Sequence, residues 1–423
     1  MKIMLVNDVP VGLAGSGGVE KHVLELERAL REAGHQTVLL THQLRGQPEV
    51  QSAGRYLIPH FNAPPLRKRP ARNYLDQSRA LEKVQRIVAD ENPDVIHVHN
   101  FMNPRALRLL RRLRPVVKSI HDCRPFCTKP YPAVASRLIG DSETFCDITF
   151  CWRCWSRCYL RAGCTWVEKM DAWSSYPANM RALREIAAFD KVVVYSRYLG
   201  ELAAACVSKE KIELVHFFTE AEKMEEAAAQ PDDPPVLFFA GRLAPEKGIR
   251  HLFKAVEALP PDLRFRLVIA GDGPLREEAA AWAARRPAGG PVELAGFLSY
   301  EPMMDWYRRA YVVLFPSIGS EGCPLTGIEA MYAGAPVIGF DVGGVGEWLV
   351  NEETGVLLPR GDIAGMTRAI ADLLRDPARR RAMGERARKY VGAKFRKALH
   401  LQRLSEVYEG AIRARKGGLH ETG

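Results

Sequence analysis

Short apolar runs alternate with longer amphipathic stretches along most of the chain. In the first half the runs are KIMLV, TVLL, RYLIPHF, DVIHVHN, PVVKSIH and KVVVYS. In the second half they are PVLFFAGRL, RLVIAGDG, VELAGF, VVLFPS, APVIGFD and TGVLLP. Near-continuous apolar strands separated by helices indicate parallel sheets that are covered on both faces. The pattern therefore predicts an α/β protein with two doubly wound, Rossmann-like domains.

The length of the chain also favours two domains. It has 423 residues, and a single core stops growing at roughly 250–300 residues. Residues 224–235, MEEAAAQPDDPP, are acidic, proline-rich and without periodicity. We predict an N-terminal domain over residues 1–220, a linker over 221–235, a C-terminal domain over 236–395 and a final helix over 396–423.

The net charge of +10 is unevenly distributed. The first 200 residues carry 30 Lys and Arg against 19 Asp and Glu. The basic stretches PPLRKRPAR (64–72) and RALRLLRRLRPVVK (105–118) lie there. Such surfaces attract anionic lipid, although a solvated helix face with its leucines in the core explains the second stretch equally well. No nucleic-acid-binding module accompanies the charge, so nucleic acid is not expected.

The sequence favours a cytoplasmic protein. It has no apolar run of about 18 residues, the length needed to span a bilayer. The start MKIMLVNDVP turns polar too soon for a signal peptide. We therefore expect a cytoplasmic chain, with peripheral membrane association through its basic first half.

Glycines and cations follow several of the predicted strands. In open α/β sheets, ligands bind beyond the carboxyl ends of the strands. Arg242 and Lys247 follow one strand in AGRLAPEKG, a pair suited to a diphosphate. The other glycine-rich strand ends are GSGGVEKH (15–22), AGDGP (270–274) and DVGGVGE (341–347). A flexible glycine loop explains GSGGVEKH equally well. The second domain, however, has three glycine-containing strand ends, AGRLAPEKG, AGDGP and DVGGVGE, and this number favours a ligand site.

Two carboxylates, Glu321 and Glu329, flank a turn in SEGCPLTGIEAM. A carboxylate can accept hydrogen bonds from two adjacent sugar hydroxyls. The alternative is a general acid and base that face one glycosidic bond. Spacing alone does not separate these interpretations.

Together these segments resemble the retaining, GT-B-fold glycosyltransferases of family 4. EGCPLTGIEAM is similar to the E-x7-E motif of that family, and GRLAPEKG, AGDGP, GF (296–297), AGAPVIGFDVGGVGE and GGVEKH occur in its order. The resemblance covers nearly the whole chain and is strongest over residues 236–359. It implies a GT-B fold, with two Rossmann-like domains facing a cleft and the final helix returning to the first domain.

The resemblance also implies roles for single residues. Arg242 and Lys247 would bind the diphosphate of the donor, Glu329 its ribose and Glu321 its sugar, while His121 would lie beside the reacting sugar. The remaining donor contacts would come from Gly17, Gly18, Gly271, Gly273, Gly322, Cys323, Pro324 and Leu325.

The reaction implied by the resemblance is sugar transfer from a nucleotide-diphosphate sugar, UDP-linked rather than GDP-linked, to a hydroxyl with retention. No cofactor or metal is expected in catalysis. The acceptor would be a glycan or a polyprenyl-diphosphate-linked cell-envelope glycan. The alternatives are an epimerase of the same fold and a non-catalytic nucleotide-sugar-binding scaffold. Two departures from the family, Cys323 and the segment VHFFTE (215–220), concern the donor pocket.

The cysteines form a separate feature. Seven of the nine lie between Cys123 and Cys164, and clustered thiols in a reducing compartment favour a metal over disulfides. We hypothesise a structural zinc, or an iron–sulfur cluster, held by Cys123, Cys127, Cys151 and Cys154. Free thiols and disulfides are the alternatives.

The metal hypothesis makes a direct prediction. Protein purified under reducing conditions should contain about one zinc per chain, or iron in cluster stoichiometry. Elemental analysis measures this, and converting Cys151 and Cys154 to serine should release the metal. Protein that contains neither zinc nor iron would refute the hypothesis.

Overall fold

The computed structural model describes residues 1–8, 18–43, 50–52, 54–59, 70–100, 103–123, 125–126, 180–224, 231–285 and 291–420. The chain divides into two compact units. The first consists of Met1–His216 and Ala398–Gly423, and the second of Phe217–Lys397.

The first unit contains an eight-stranded sheet. Its strands are β1 (Lys2–Asn7), β2 (Gln36–His42), β3 (Val50–Ser52), β4 (Arg55–Ile58), β5 (Val95–Val98), β6 (Val116–Ile120), β7 (Lys191–Val194) and β8 (Ile212–Leu214). The strand order is β3-β4-β2-β1-β5-β6-β7-β8. Strand β3 is antiparallel to β4, and the other pairs are parallel. The apolar runs predict the other six strands, whereas β3 and β8 have only three residues each and leave no apolar run.

Helices cover this sheet through their apolar faces. They are α1 (Gly18–Glu32), α2 (Pro70–Glu91), α3 (Pro104–Leu113) and α4 (Arg197–Ala204), together with the helical residues 180–187. In α1, Val23, Leu26 and Leu30 are fully buried. Gly34 follows with φ +83°, the left-handed conformation in which glycine ends a helix. The periodicity of the sequence thus predicts both the buried face and the end of α1.

The second unit contains a six-stranded, fully parallel sheet. Its strands are β9 (Val236–Ala240), β10 (Arg266–Ala270), β11 (Val292–Gly296), β12 (Val312–Phe315), β13 (Val337–Phe340) and β14 (Gly355–Leu358), in the order β11-β10-β9-β12-β13-β14. Its helices are α5 (Ile249–Glu257), α6 (Arg276–Ala284), α7 (Tyr300–Arg309), α8 (Leu325–Tyr332), α9 (Ile363–Arg375) and α10 (Pro377–Lys394). Strands β9, β12 and β13 are buried along their whole length. The predicted α/β architecture of two Rossmann-like domains is confirmed.

The division between the units lies upstream of the linker predicted at 221–235. It falls after His216, because the short 3-10 helix Glu220–Met224 packs into the second unit. Ala221 and Met224 of that helix belong to the second core. The last helix, α11 (Lys397–His420), groups with the first unit from Ala398 onward. Its Tyr408 hydroxyl lies 2.8 Å from Nδ1 of His97.

Gly248 illustrates how tightly the strand ends of the second unit pack. It has φ +68°, and an added Cβ would lie 1.7 Å from the carbonyl oxygen of Pro316. We expect Gly248→Ala to lower the free energy of unfolding by about 2–4 kcal/mol, from left-handed strain plus overpacking. Gly417→Ala is the matched control, because a Cβ there, within α11, meets nothing within 4 Å in the described chain. Chemical denaturation measures both variants, and equal effects would contradict this packing argument.

Candidate active site

The loop after β9 carries the two predicted diphosphate-binding cations. A 3-10 helix, Pro245–Lys247, forms there and ends at the left-handed Gly248. Arg242 pairs with Glu246, and its side chain remains 45% exposed. The ammonium of Lys247 lies 2.7 Å from Oε1 of Glu321, and both side chains are mostly buried. The structure therefore brings Lys247 and Glu321 together across 74 residues of sequence.

The loop after β12 carries Glu321 and is held from two sides. The backbone N–H groups of Ile318 and Gly319 donate to the carbonyl of Glu246 at 3.0 and 2.9 Å. The N–H of Gly344 donates to the carbonyl of Glu321 at 2.8 Å. Gly343, with φ +60°, permits this approach, because an added Cβ would lie 2.2 Å from that carbonyl oxygen. Three glycine-containing loops therefore share one backbone network.

Two further side chains hold this loop, and neither was identified from the sequence. The hydroxyl of Ser317 donates to Oε1 of Glu321, which also accepts from Lys247. Arg360, after β14, donates its Nε–H to the carbonyl of Ile318 at 2.9 Å. Neither residue belongs to a motif noted in the sequence. Their position directly after strands β12 and β14 is the one signal that pointed to them.

Glu329 lies on α8 and is only 5% exposed. Its Oε1 accepts a hydrogen bond of 3.0 Å from the hydroxyl of Thr219. That hydroxyl in turn accepts the N–H of Ala221 at 3.3 Å. The proton of Thr219 is thereby directed toward the carboxylate. Thr219 lies in the segment VHFFTE, where the sequence departs from the family pattern.

Gly271 and Gly273 owe their identity to the packing of two neighbouring loops. They have φ +135° and +155°, and an added Cβ would lie 1.9 Å from the carbonyl oxygen of Gly241 and 2.6 Å from that of Leu243. Only glycine fits these positions, whether or not a ligand binds nearby. Phe297, the next residue after β11, has 65% of its surface exposed. Gly271 connects to this strand end through its N–H, 2.7 Å from the carbonyl of Gly296.

Residues Gly322–Leu325 precede and begin α8. Pro324 is the N-cap residue and no side chain caps the helix, so its first N–H groups point out of the helix as anion-binding donors. Burial, with the carboxylate of Glu347 acting in the same direction and the charge of Lys394 against it, raises the pKa of the Cys323 thiol to about 12. This thiol therefore stays protonated at neutral pH.

His121 follows β6 in the first unit and belongs to a group of buried imidazoles. We call His22, His97, His99, His121 and His400 the histidine cluster. Every member is at most 7% exposed. Nδ1 of His99 lies 3.0 Å from Nε2 of His121, and Nδ1 of His400 lies 2.7 Å from the carbonyl oxygen of His216. Of the five, only His121 was identified as a site residue from the sequence.

Hydrogen bonds and ring contacts connect the cluster to neighbouring strands. Nε2 of His97 lies 2.8 Å from the hydroxyl of Ser119, which lies 2.8 Å from the hydroxyl of Tyr195. The rings of His97 and His99 approach to 4.2 Å between centroids. The HVH spacing at the end of β5, where His97 lies on the strand and His99 directly follows it, was a usable signal, because alternate residues of an extended chain share one face.

Burial keeps four of these imidazoles neutral, those of His22, His97, His99 and His400. It lowers the pKa of His97 to about 3, with the charges of His400 and Lys118 acting in the same direction. It lowers the pKa of His400 to about 4, against a hydrogen bond to His216. The pKa values of His22 and His99 are also held well below the usual range, chiefly by burial.

The structure describes only some of the other predicted site residues. Gly17, Cys127, Cys151 and Cys154 lie outside the described residues. Gly18 begins α1, and a Cβ there would contact nothing in the described chain within 4 Å. Cys123 is buried, with its sulfur 3.8 Å from the hydroxyl of Tyr198. Within the described residues, no group of three or more His, Cys, Asp or Glu side chains is arranged to hold a metal ion.

The basic helix α3 is partly neutralised within the fold. Leu107 and Leu110 are buried. Arg108 and Arg111 donate to the carboxylate of Glu185 at 2.7 and 3.0 Å. These leucines therefore pack in the core, which agrees with the alternative interpretation of this stretch as a solvated helix face with buried leucines. Among the described helices, none combines the length and apolar character that crossing a bilayer requires.

Two Rossmann-like domains, the second with glycine-containing loops packed together at the carboxyl ends of its strands, are typical of the GT-B class of glycosyltransferases. The family model "Glycosyltransferase Family 4" matches residues 16–223, and the model "Glycosyl transferases group 1" matches residues 220–390. The chain belongs to this group 1, family 4 class of glycosyltransferases.

Proteins of similar sequence are also named as glycosyltransferases. The chain is 30% identical over 178 residues to an alpha-D-kanosaminyltransferase of Streptomyces kanamyceticus, covering 42% of this chain and 46% of that protein. It is 27% identical over 413 residues to a D-inositol 3-phosphate glycosyltransferase of Kribbella flavida, covering 89% of this chain and 87% of that protein. The chain thus spans less than half of the first relative and most of the second.

Solved structures share the fold. Sucrose-phosphate synthase from Thermosynechococcus elongatus superposes with a TM-score of 0.69 at 22% identity, covering 98% of this chain and 100% of that one. The Anabaena HepE protein, solved in complex with UDP and glucose, superposes with a TM-score of 0.66 at 17% identity, covering 97% and 99%. At this level of identity the likeness establishes the GT-B fold.

The histidine cluster predicts acid sensitivity. Because folding lowers these pKa values below the ordinary 6.5, the unfolded chain binds more protons, and stability falls as the pH drops from about 6.5 toward the folded values. Each neutral histidine costs up to about 1.4 kcal/mol of unfolding free energy per pH unit there. Denaturation at pH 7.5 and 5.0 should show the loss, and His400→Gln should reduce the slope. Stability independent of pH over this range would contradict the prediction.

Proposed function

We propose that this protein is a retaining glycosyltransferase that uses a nucleoside-diphosphate sugar as donor. The observation that carries the proposal is the contact between Lys247 and Glu321 at the carboxyl ends of β9 and β12. An ammonium provides three donors, and a carboxylate accepts up to about four hydrogen bonds. The pair therefore keeps capacity for phosphate oxygens on one side and sugar hydroxyls on the other.

The positive charge of the proposed site suits a leaving diphosphate. In sugar transfer the bond from the anomeric carbon to the diphosphate breaks, and negative charge develops on the leaving oxygen. Lys247, the exposed guanidinium of Arg242 and the N–H groups that begin α8 supply fixed positive charge to stabilise it. In the proposed mechanism these groups do so without a catalytic metal.

Retention follows from attack on the same face that the diphosphate leaves. The acceptor oxygen forms its bond to the anomeric carbon on that face, and its proton passes to an oxygen of the departing diphosphate. Glu321 holds the sugar hydroxyls in this scheme and forms no covalent bond. Its carboxylate is already bound to Lys247 and Ser317, which makes it a poor nucleophile and a good hydroxyl acceptor.

The nucleoside half of the donor has its own proposed contacts. Glu329 binds the ribose hydroxyls, which is the role that the resemblance to the family implies for this carboxylate; it also accepts the hydroxyl proton of Thr219. Phe297 offers an exposed ring beside the end of β11 on which a base can stack. We favour UDP over GDP, since a GT-B neighbour with TM-score 0.66 was solved with UDP.

The acceptor is proposed to be a glycan, lipid-linked or otherwise part of the cell envelope. The excess of positive charge in the first 200 residues suits a phosphate-bearing acceptor or an anionic membrane surface. Because Glu185 neutralises part of the charge of Arg108 and Arg111, α3 contributes less positive charge to such a surface. Peripheral membrane association therefore stays a prediction. The metal at the cysteine segment is a separate prediction.

Donor binding and transfer test the proposal together. A thermal-shift panel of UDP- and GDP-sugars should yield a stabilising donor. Lys247→Ala and Glu329→Ala should each weaken its binding by about 10- to 100-fold, the worth of one charge-assisted hydrogen bond. Arg250→Ala is the matched control, because Arg250 pairs with Glu278 on the exposed side of α5. Variants with unchanged affinity and transfer would refute the assigned site.

A further inference from the structure

The two oxygens of the Glu321 carboxylate have different surroundings. Oε1 accepts the ammonium of Lys247 at 2.7 Å and also the hydroxyl of Ser317. A carboxylate oxygen offers about two lone-pair sites, so the protein itself fills both sites of Oε1. Within the described residues, Oε2 accepts no hydrogen bond and is not sealed from solvent. Oε1 therefore faces the protein, and Oε2 keeps its capacity for a ligand.

The hydroxyl proton of Ser317 is directed to Glu321. Ser317 is only 2% exposed, and its Oγ also lies 3.4 Å from the carbonyl oxygen of Glu246. That carbonyl already accepts the N–H groups of Ile318 and Gly319 at 3.0 and 2.9 Å, which fill its two lone-pair sites. A charged carboxylate is also the stronger acceptor. The single proton of Ser317 is therefore donated to Oε1 of Glu321.

The ammonium of Lys247 alone does not set the orientation of this carboxylate. An ammonium is a compact point charge on a flexible stem, with three rotatable donors. It can therefore bind either oxygen of a carboxylate that turns beside it. Ser317 lies two residues after β12 and is buried, so its hydroxyl has a fixed place. Two donors on one oxygen hold the carboxylate in a single orientation.

The backbone of this loop does not depend on the hydroxyl of Ser317. The N–H groups of Ile318 and Gly319 donate to a carbonyl of the neighbouring loop. The guanidinium of Arg360 donates to the carbonyl of Ile318. None of these hydrogen bonds uses the side chain of Ser317. Removing its hydroxyl should therefore release the carboxylate and leave the loop in place.

We propose that Ser317 is a positioning residue, which fixes the Glu321 carboxylate with Oε1 toward the protein and Oε2 toward the sugar of the donor. Oε2 then offers its lone pairs to the hydroxyls of that sugar. This inference rests on the proposed function, in which Glu321 binds the sugar and Lys247 the diphosphate. Its consequence is that Ser317 contributes to recognition of the sugar and not of the nucleoside diphosphate.

Two matched pairs of probes test this consequence, UDP-glucose with UDP and GDP-mannose with GDP. Calorimetry measures their affinities for the full wild-type chain and for Ser317→Ala. For the pair that binds, the variant should lose about 3- to 10-fold in affinity for the nucleotide sugar, the worth of one hydrogen bond. Its affinity for the nucleoside diphosphate should stay that of the wild type. An equal loss for both members of the pair, or no loss for either, overturns the proposal.

Two further variants separate positioning from a general effect of substitution. Ser317→Thr keeps the hydroxyl and should keep the affinity for the nucleotide sugar. Ser299→Ala is the matched control, because Ser299 precedes α7 and its side chain makes no capping hydrogen bond. This control should bind every probe as the wild type does, and thermal melting shows which variants fold. A folded Ser317→Thr that binds the nucleotide sugar as weakly as Ser317→Ala overturns the proposal, and so does a sugar-selective loss in Ser299→Ala.

The orientation of Glu321 is also observable without a ligand. Crystal structures of the unliganded wild type and of Ser317→Ala should share one loop backbone. The carboxylate of Glu321 should have a single orientation in the wild type and a rotated one, or two alternate ones, in the variant. An identical carboxylate in both structures overturns the proposal. If the wild type binds none of the four probes, its use of a UDP- or GDP-linked donor fails, whereas this comparison still decides the role of Ser317. The two failures are therefore distinguishable.

Discussion

Backbone-to-backbone packing at the carboxyl ends of the second sheet is the constraint on which the proposed donor site depends. Three glycines with positive φ, Gly248, Gly271 and Gly343, each lie where an added Cβ would meet a carbonyl oxygen at 2.2 Å or less. Because the loops touch through their backbones, Lys247 reaches Glu321 over a short distance. The glycines at the strand ends thus allow the loops to pack against each other, and this packing positions the residues of the proposed donor site.

The two units handle buried polar groups in different ways. In the second unit the ammonium of Lys247 and the carboxylate of Glu321 pair with each other, so neither charge is buried without a partner. In the first unit burial holds imidazoles neutral, and their nitrogens bind hydroxyls, carbonyls and one another. The first arrangement suits a site that binds an anionic diphosphate. The second brings the rings of His99 and His121 into hydrogen-bond contact, at the expense of stability in acid.

Much of the fold could be predicted from the sequence, but less of the site. Twelve of the fourteen strands in the described part of the chain leave apolar runs, whereas β3 and β8 are too short to do so. Lys247 and Glu321 were identifiable because they follow apolar runs, where ligands bind in open α/β sheets, and because they belong to motifs that resemble those of the family. Thr219, Ser317 and Arg360 were not, since their roles depend on contacts between segments distant in sequence. Four members of the histidine cluster were also not identified, because their burial together is a property of the folded chain; they are His22, His97, His99 and His400.

The most direct test of the account compares a nucleoside with its diphosphate. Calorimetry would measure the affinities of uridine and UDP for the wild-type protein and for Lys247→Met. If Lys247 binds the diphosphate, the variant loses affinity for UDP by about 10- to 100-fold and keeps its affinity for uridine. An equal loss for both ligands, or no loss for either, would contradict the assignment of Lys247 and the donor site built around it.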